Sequence, residues 1–215
     1  MLIDMSSEEE LNTNPIRDQT IHYNVSEKYQ KFEPADIKQI YQYQANPAEI
    51  ACLNIGYNLN IGTIVRTSSL FAVNKIHIIG CRNYDRRGAV GMQNYLPVLF
   101  HKASKFEANS TDQIFDIASA EKTLISLSKT HTLVYIEQSS KRIDLKNMNR
   151  ELSKCKNPPI FVVGSESFGI PLELMNLASL CVEIPQAGVG RSHNVSNALS
   201  IVLWEYFRDR IHNFE

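Results

Sequence analysis

The chain has 215 residues, 43% of them hydrophobic and 21% charged, with a formal net charge of −1. This composition suits a soluble globular protein with one good core and an appendage, and it excludes a globally basic nucleic-acid binder, leaving room only for a local basic patch. Cys52, Cys81, Cys155 and Cys181 form no C-x-x-C pair, which argues against a structural zinc site and for reducing surroundings. The opening "MLIDMSSEEELNTN" is acidic and polar, unlike a secretory signal or a basic transit peptide, and no run approaches membrane-spanning length. A soluble cytoplasmic protein without metal or membrane attachment is expected.

In chain order, residues 1 to about 30 are polar, with few large apolar side chains, and read as mobile. "EPADIKQIYQYQANP" then reads as a short helix: Pro34 suits its first turn, Ile37, Ile40 and Tyr41 share a face, and Asn46-Pro47 stops it. The N-terminal extension therefore covers 1–46, and the main domain 47–215. Within that domain apolar runs at 49–55, 75–80, 132–137, 160–164 and 181–184 read as strands. Helical candidates at 61–73, 111–121, 172–178 and 194–211 lie between and after them. Several strand runs lack alternation, as strands covered on both faces do, so the fold class is α/β, a mostly parallel sheet with helices on both faces.

Open parallel sheets bind ligands beyond the carboxyl ends of their strands. Three loops there are unusual: "NLNIGTIVRT" (58–67), "GSESFGIP" (164–171) and "PQAGVGRSHN" (185–194). Common nucleotide signatures fail in them. Ile170 and Pro171 stand where a P-loop needs Lys and Ser/Thr, and "GVGRSH" has His193 where a dinucleotide fingerprint needs a third glycine. Adjacent Ser192 and His193 project in different directions, and no G-x-S-x-G elbow supports a serine hydrolase.

Together the three loops resemble the signature motifs of the SpoU/TrmH group of RNA 2'-O-ribose methyltransferases in the SPOUT superfamily, over about residues 47 to 212. Asn60, Gly62 and Arg66 match the first motif; Gly164, Glu166, Gly169 and Ile170 the second; Ile184, Pro185, Gly188, Ser192, Asn194, Val195 and Ser196 the third. Within the group, the stretch from Val182 to Tyr206 looks most like the catalytic domain of eukaryotic tRNA guanosine 2'-O-methyltransferases. The resemblance implies a C-terminal deep trefoil knot, S-adenosyl-L-methionine held by the knotted loops, and a homodimer with active sites across the interface.

It further implies that Gly164, Ile184, Gln186, Gly188 and His193 frame the methyl donor, and that Asn60, Arg66, Glu166, Ser192 and Asn194 form the catalytic set. His193 departs from the family, which usually carries Leu there. Arg66, assigned to activate the ribose hydroxyl, stays protonated in proteins and suits phosphate orientation or alkoxide stabilisation better than proton abstraction. Glu166 either holds a loop by accepting N–H bonds or acts in catalysis, while Ser192 and Asn194 can also cap the last helix. For RNA, Arg82, Arg86 and Arg87 surround Tyr84 in "RNYDRRG", where cations meet phosphates and the ring stacks on a base; Arg191, Lys102, Lys105 and the pair at 141–142 widen the patch. The expected function is methylation of a ribose 2'-hydroxyl in structured RNA, tRNA rather than rRNA, with guanosine as a candidate target. A non-catalytic RNA-binding protein of the same fold is the alternative, and an oxidoreductase lacks its fingerprint in the first strand–helix turn.

Overall fold

The computed structural model describes residues 24–56, 58–80, 84–107, 113–140 and 142–210. The acidic stretch before residue 24, along with Cys81, Arg82 and Lys141, lies outside them. Helix α1 (Pro34–Gln44) carries Pro34 in its first turn, as expected. It buries Ile37, and its Tyr41 hydroxyl donates to the Val73 carbonyl at 2.7 Å, so it lies against the sheet rather than apart from it.

The sequence then alternates β1 (Asn46–Leu53), α2 (Asn58–Leu70), β2 (Val73–Gly80), β3 (Val98–Lys102), β4 (Ser104–Phe106), β5 (Gln113–Phe115), α3 (Ile117–Ser128) and β6 (Thr132–Ile136). It ends with β7 (Ile143–Asp144), α4 (Met148–Leu152), β8 (Pro159–Val163), β9 (Leu180–Glu183) and α5 (Val195–Phe207). Seven strands make one sheet in the order β3-β2-β1-β8-β6-β9-β7, and every neighbouring pair is parallel. Two late strands insert between earlier ones: β8 enters between β1 and β6, and β9 between β6 and β7. All carboxyl ends therefore point to one edge, the edge where such sheets place their ligands.

Both faces are covered, as the continuous apolar runs required. Ile50, Cys52, Ile76, Ile78, Phe161 and Val163 face α2 and α5, which contribute Ile61, Ile64, Leu199, Val202, Leu203 and Phe207. On the reverse face Ala51, Leu53, Ile79, Leu133, Ile160 and Val162 meet Ala120 and Leu124 of α3 and Leu174. Burying each Leu, Ile or Phe is worth roughly 1.5–3 kcal/mol, so the apolar spacing in α5 fixes its orientation far better than its intrinsic helix preference does.

Two helix expectations are corrected. The segment 111–121 does not begin a helix: Gln113–Phe115 pairs antiparallel with Ser104–Phe106, and the helix starts only at Ile117. The segment 172–178 is a 3₁₀ turn, Leu172–Leu177, entered through Pro171 and held by the Tyr135 hydroxyl, which donates to the Leu174 carbonyl at 3.0 Å. Six residues after a proline give too few i→i+4 bonds to favour an α-helix.

Candidate active site

Each of the three loops is fixed by a different local device. In the second, Ser165 and Gly169 exchange two backbone hydrogen bonds of 3.1 and 2.9 Å, folding "SESFG" into a tight turn over the end of β8. Gly164 is buried beneath it, and a Cβ there would lie 2.2 Å from the Gly169 carbonyl carbon. Gly169 has φ +63°, and a Cβ there would meet Glu137 Oε2 at 2.4 Å, so both positions exclude side chains. Glu137 holds the turn from outside: it accepts from the backbone N–H of Ile170 at 3.1 Å and of Gln138 at 2.9 Å.

In the first loop, helix α2 starts close against the turn Arg86–Ala89. A Cβ on Gly62 would sit 2.7 Å from the Asp85 carbonyl, and one on Gly88 would sit 3.1 Å from the Leu59 carbonyl. Two bare backbones therefore touch, and Asn60 in the first turn of α2 has a fixed place. In the third loop Asn194 is the N-cap of α5, accepting from the Ser196 N–H at 3.0 Å and its hydroxyl at 2.6 Å. Upstream, the Gln138 amide donates to the Arg191 carbonyl at 3.0 Å. The Gln186 amide, oriented to satisfy its neighbours, donates to the carbonyls of Gly190 at 3.0 Å and Arg191 at 3.2 Å.

One polar chain ties the three loops together. Glu166 accepts from the Gly56 N–H at 3.2 Å and, in a short contact, from the Asn60 amide. The Asn60 carbonyl oxygen in turn accepts from the Asn194 amide at 3.2 Å. Each bond in this run from Gly56 to Ser196 pairs a donor with an acceptor, so Glu166 ties the first and second loops together, and the two asparagines have fixed amide orientations. Of the two capping candidates, only Asn194 caps the helix.

Two adjoining clefts open around this chain. The first, about 700 Å³, lies over the ends of β6, β8 and β9, with Ile136, Met175 and Ile184 among its apolar walls. Gly164, Gln186 and Arg191 also line it. The second, about 470 Å³, is bounded by Leu59, Asn60, Glu166, Ser192, His193 and Asn194. Glu166, Ser192 and His193 belong to both. Burial pushes the Cys52 thiol below them up to about 12, with the Glu166 carboxylate adding to the effect, so it is not a nucleophile at neutral pH.

Several expected residues stand elsewhere. Arg66 is exposed on α2 and lines neither cleft, and Gly188 borders open space with no atom within 4 Å of a Cβ built on it. Tyr84 is 9% exposed and stacks on Phe100 at 6.1 Å, so it offers no free face to a base. Arg87 grips Asp85 through Nε at 2.9 Å and Nη2 at 2.5 Å, and Arg142 pairs with Glu183, whereas Arg86, Lys102, Lys105 and Arg191 are exposed. Glu137 and Gln138 escaped the sequence reading, although they follow a strand end as the other three loops do. That position was the available signal.

Residues 47–204 match the profile of the SpoU rRNA Methylase family. A mouse tRNA (guanosine(18)-2'-O)-methyltransferase is 25% identical over 157 residues, 71% of this chain and 9% of that protein. Its Saccharomyces cerevisiae counterpart is 28% identical over 151 residues, 68% of this chain and 9% of that protein. The chain thus spans 9% of the length of these two relatives. A Borreliella burgdorferi tRNA (guanosine(18)-2'-O)-methyltransferase is 21% identical over 173 residues, 79% of this chain and 70% of its own length. Among solved structures, the A. aeolicus TrmH/SpoU tRNA modifying enzyme superposes with a TM-score of 0.64 at 18% identity, covering 84% of this chain and 83% of that one. The AdoMet-bound rRNA methyltransferase from Sinorhizobium meliloti gives 0.61 at 20% identity, covering 81% and 60%. At these identities the likeness shows the fold.

Proposed function

Since this chain belongs to the SpoU rRNA Methylase family, we propose that it methylates a ribose 2'-hydroxyl in structured RNA, in particular a tRNA guanosine, using S-adenosyl-L-methionine. The observation that carries this reading is the pair of clefts sharing Glu166, Ser192 and His193, because a transfer reaction needs two ligands that meet at one wall. The names of the mouse, yeast and Borreliella relatives support tRNA and guanosine.

The first cleft fits the methyl donor in size, since about 700 Å³ lies within the range of small-molecule sites. Its apolar walls at Ile136, Met175 and Ile184 suit a flat base, and Gly164 and Gln186 bring backbone and amide groups to its edge. When bound, the donor supplies an electrophilic methyl on a sulfonium. The protein's part is positioning: the Gly56–Glu166–Asn60–Asn194 chain fixes the wall between the clefts, and Ser192 presents a hydroxyl there. Exposed Arg86, Lys102, Lys105 and Arg191 serve RNA phosphates.

Arg66 acts in this reading from a second copy of the chain. It shares one exposed face of α2 with Leu59 and Leu70, which are 55% and 78% exposed, and Trp204 on the neighbouring α5 is 58% exposed. That apolar face suits a homodimer, in which Arg66 would reach the partner's second cleft and stabilise developing negative charge on the ribose oxygen. The trefoil knot belongs to the same proposal and is supported by the insertion of β8 and β9 between earlier strands.

The test is to incubate the protein with labelled S-adenosyl-L-methionine and separated tRNA and rRNA fractions, then locate any 2'-O-methyl mark. Label in tRNA at one nucleotide is expected; absence of donor binding by calorimetry together with no transfer to either fraction would overturn the reading. Sedimentation should give a dimer that Leu70→Glu with Trp204→Glu converts to a folded monomer.

A further inference from the structure

An RNA strand that places one ribose in a cleft runs on past it, and the bases beside the target need a surface of their own. An unpaired base is held best by an aromatic ring with a free face, next to cations that meet the phosphates. Phe100 on the edge strand β3 meets the first condition. Its ring stacks on that of buried Tyr84 at 6.1 Å, with the two planes 23° apart, yet Phe100 is 51% exposed. Tyr84 thus backs one side of the ring and leaves the other open to solvent.

The cations are placed by the same elements. Strand period puts Phe100 and Lys102 on one face of β3, beside Ile78 and Gly80 of β2. That face is the one α2 covers, since Val98 and Ile78 pack with Ile61 and Ile64, and Lys102 ends β3 at the edge where the ligand loops stand. Arg86 opens the turn that follows Tyr84; burial pushes the Tyr84 phenol up, and the Arg86 charge works against it. Among the described residues neither Arg86 nor Lys102 has an acidic partner, whereas Arg87 is held by Asp85. The same turn reaches the reaction site: a Cβ on Gly88 would sit 3.1 Å from the Leu59 carbonyl, and Leu59 bounds the second cleft. Ring, cations and second cleft form one continuous surface. A second copy of the chain seated symmetrically here would bring Arg86 and Lys102 against their own counterparts, like charge on like charge, whereas RNA brings phosphates.

We propose that Phe100 stacks on an unpaired base next to the nucleotide whose ribose enters the second cleft, while Arg86 and Lys102 hold the adjoining phosphates. The ligand is single-stranded RNA, such as a loop, because paired bases offer grooves and edges but no ring face. Every base has such a face, so the platform selects an open strand rather than a sequence. The position of the target nucleotide rests on the methyltransferase reading, but binding needs no transfer, so the two fail separately.

The test is fluorescence anisotropy with a labelled oligouridylate of about ten nucleotides and a blunt RNA duplex of the same length, over a series of salt concentrations. Phe100→Ala and Phe100→Leu should each weaken oligouridylate binding about tenfold and duplex binding less than about twofold. Phe100→Trp should keep oligouridylate affinity within about threefold, and its added fluorescence should be quenched on binding, as a stacked ring requires. Arg86→Ala and Lys102→Ala should each flatten the salt slope by about 0.7, which Phe100→Ala should leave unchanged. Phe100 lines neither cleft, so S-adenosylhomocysteine affinity should stay within about threefold in its variants. Equal losses on strand and duplex, a Leu variant as good as wild type, weakened S-adenosylhomocysteine binding, or no measurable oligouridylate binding by the wild type overturns the proposal alone. Absence of transfer by the wild type, with Phe100-dependent strand binding intact, overturns the methyltransferase reading and leaves the platform standing.

Discussion

Gly164→Ala is the sharpest test of how the first cleft is built. The added Cβ would lie 2.2 Å from the Gly169 carbonyl carbon, 2.3 Å from its oxygen and 2.5 Å from the Ile170 nitrogen, whereas ordinary contact begins at 3.4 Å. All three are backbone atoms, so no rotamer change relieves the clash, and residues 169–170 must retreat by about 1 Å. That movement strains or breaks the two Ser165–Gly169 bonds and the Ile170 bond to Glu137. Overpacking costs about 1–3 kcal/mol and each lost hydrogen bond about 1 kcal/mol, so the expected destabilisation is about 3–5 kcal/mol. With a urea slope of about 2 kcal/mol/M, the unfolding midpoint should fall by about 2 M. Gly188→Ala is the control: nothing lies within 4 Å of its Cβ, and its stability should stay within about 0.5 kcal/mol of wild type. Affinity for S-adenosyl-L-methionine, read by calorimetry, should drop at least 100-fold for Gly164→Ala. A Gly164→Ala protein within 1 kcal/mol of wild type, with unchanged affinity, would refute the steric argument.

Asn60→Asp replaces the amide that donates to Glu166 with a second carboxylate. Two adjacent carboxylates cannot both ionise cheaply, so this variant should lose about 2 kcal/mol at pH 8 and recover part of it near pH 5, as compared in urea titrations at the two pH values. Glu49 anchors a second polar cluster, under the start of the sheet, where it meets His77 at 2.7 Å, His131 at 3.5 Å and Lys75 at 3.2 Å. Burial pushes its carboxyl up, but the His77 hydrogen bond and these positive groups outweigh burial and hold it at about 2. Its contribution is therefore complete above pH 4.5, is lost as pH falls toward 2, and amounts to about 3 kcal/mol. Burial also lowers His101 and His131, whose neutral forms favour the fold above about pH 6.5 and whose protonation opposes it below. Thermal midpoints should decline from pH 6.5 downward, and Glu49→Gln should flatten the part of that decline between pH 4.5 and 2.

The strands that could be read from sequence are the buried ones. β1, β2, β6, β8 and β9 are mainly apolar because both of their faces are covered, with Glu49, Lys75, His77 and Glu183 among the few polar interruptions. The edge strand β3 has only three consecutive apolar residues and leaves Leu99 and Phe100 exposed, and the β4–β5 ribbon is exposed, so neither produces a long buried run to detect. Strand order was hidden for a different reason: the insertion of β8 and β9 depends on crossovers, which leave no periodicity. At the site, Asn60, Glu166 and Asn194 stood out through their motifs, but their mutual bonds span more than a hundred residues and could not be read from spacing. The aromatic at Tyr84 misled because sequence alone does not say whether a ring between arginines faces solvent or Phe100.

The polar chain from Gly56 to Ser196 also has a temporal consequence. Its links join positions 110, 106 and 134 residues apart, so no partial structure lacking either the turn after β8 or the start of α5 can set the orientation of Asn60. Assembly of this wall therefore waits on both of those elements. A chain lacking either of those two elements also lacks the wall that Glu166, Ser192 and His193 form between the two clefts.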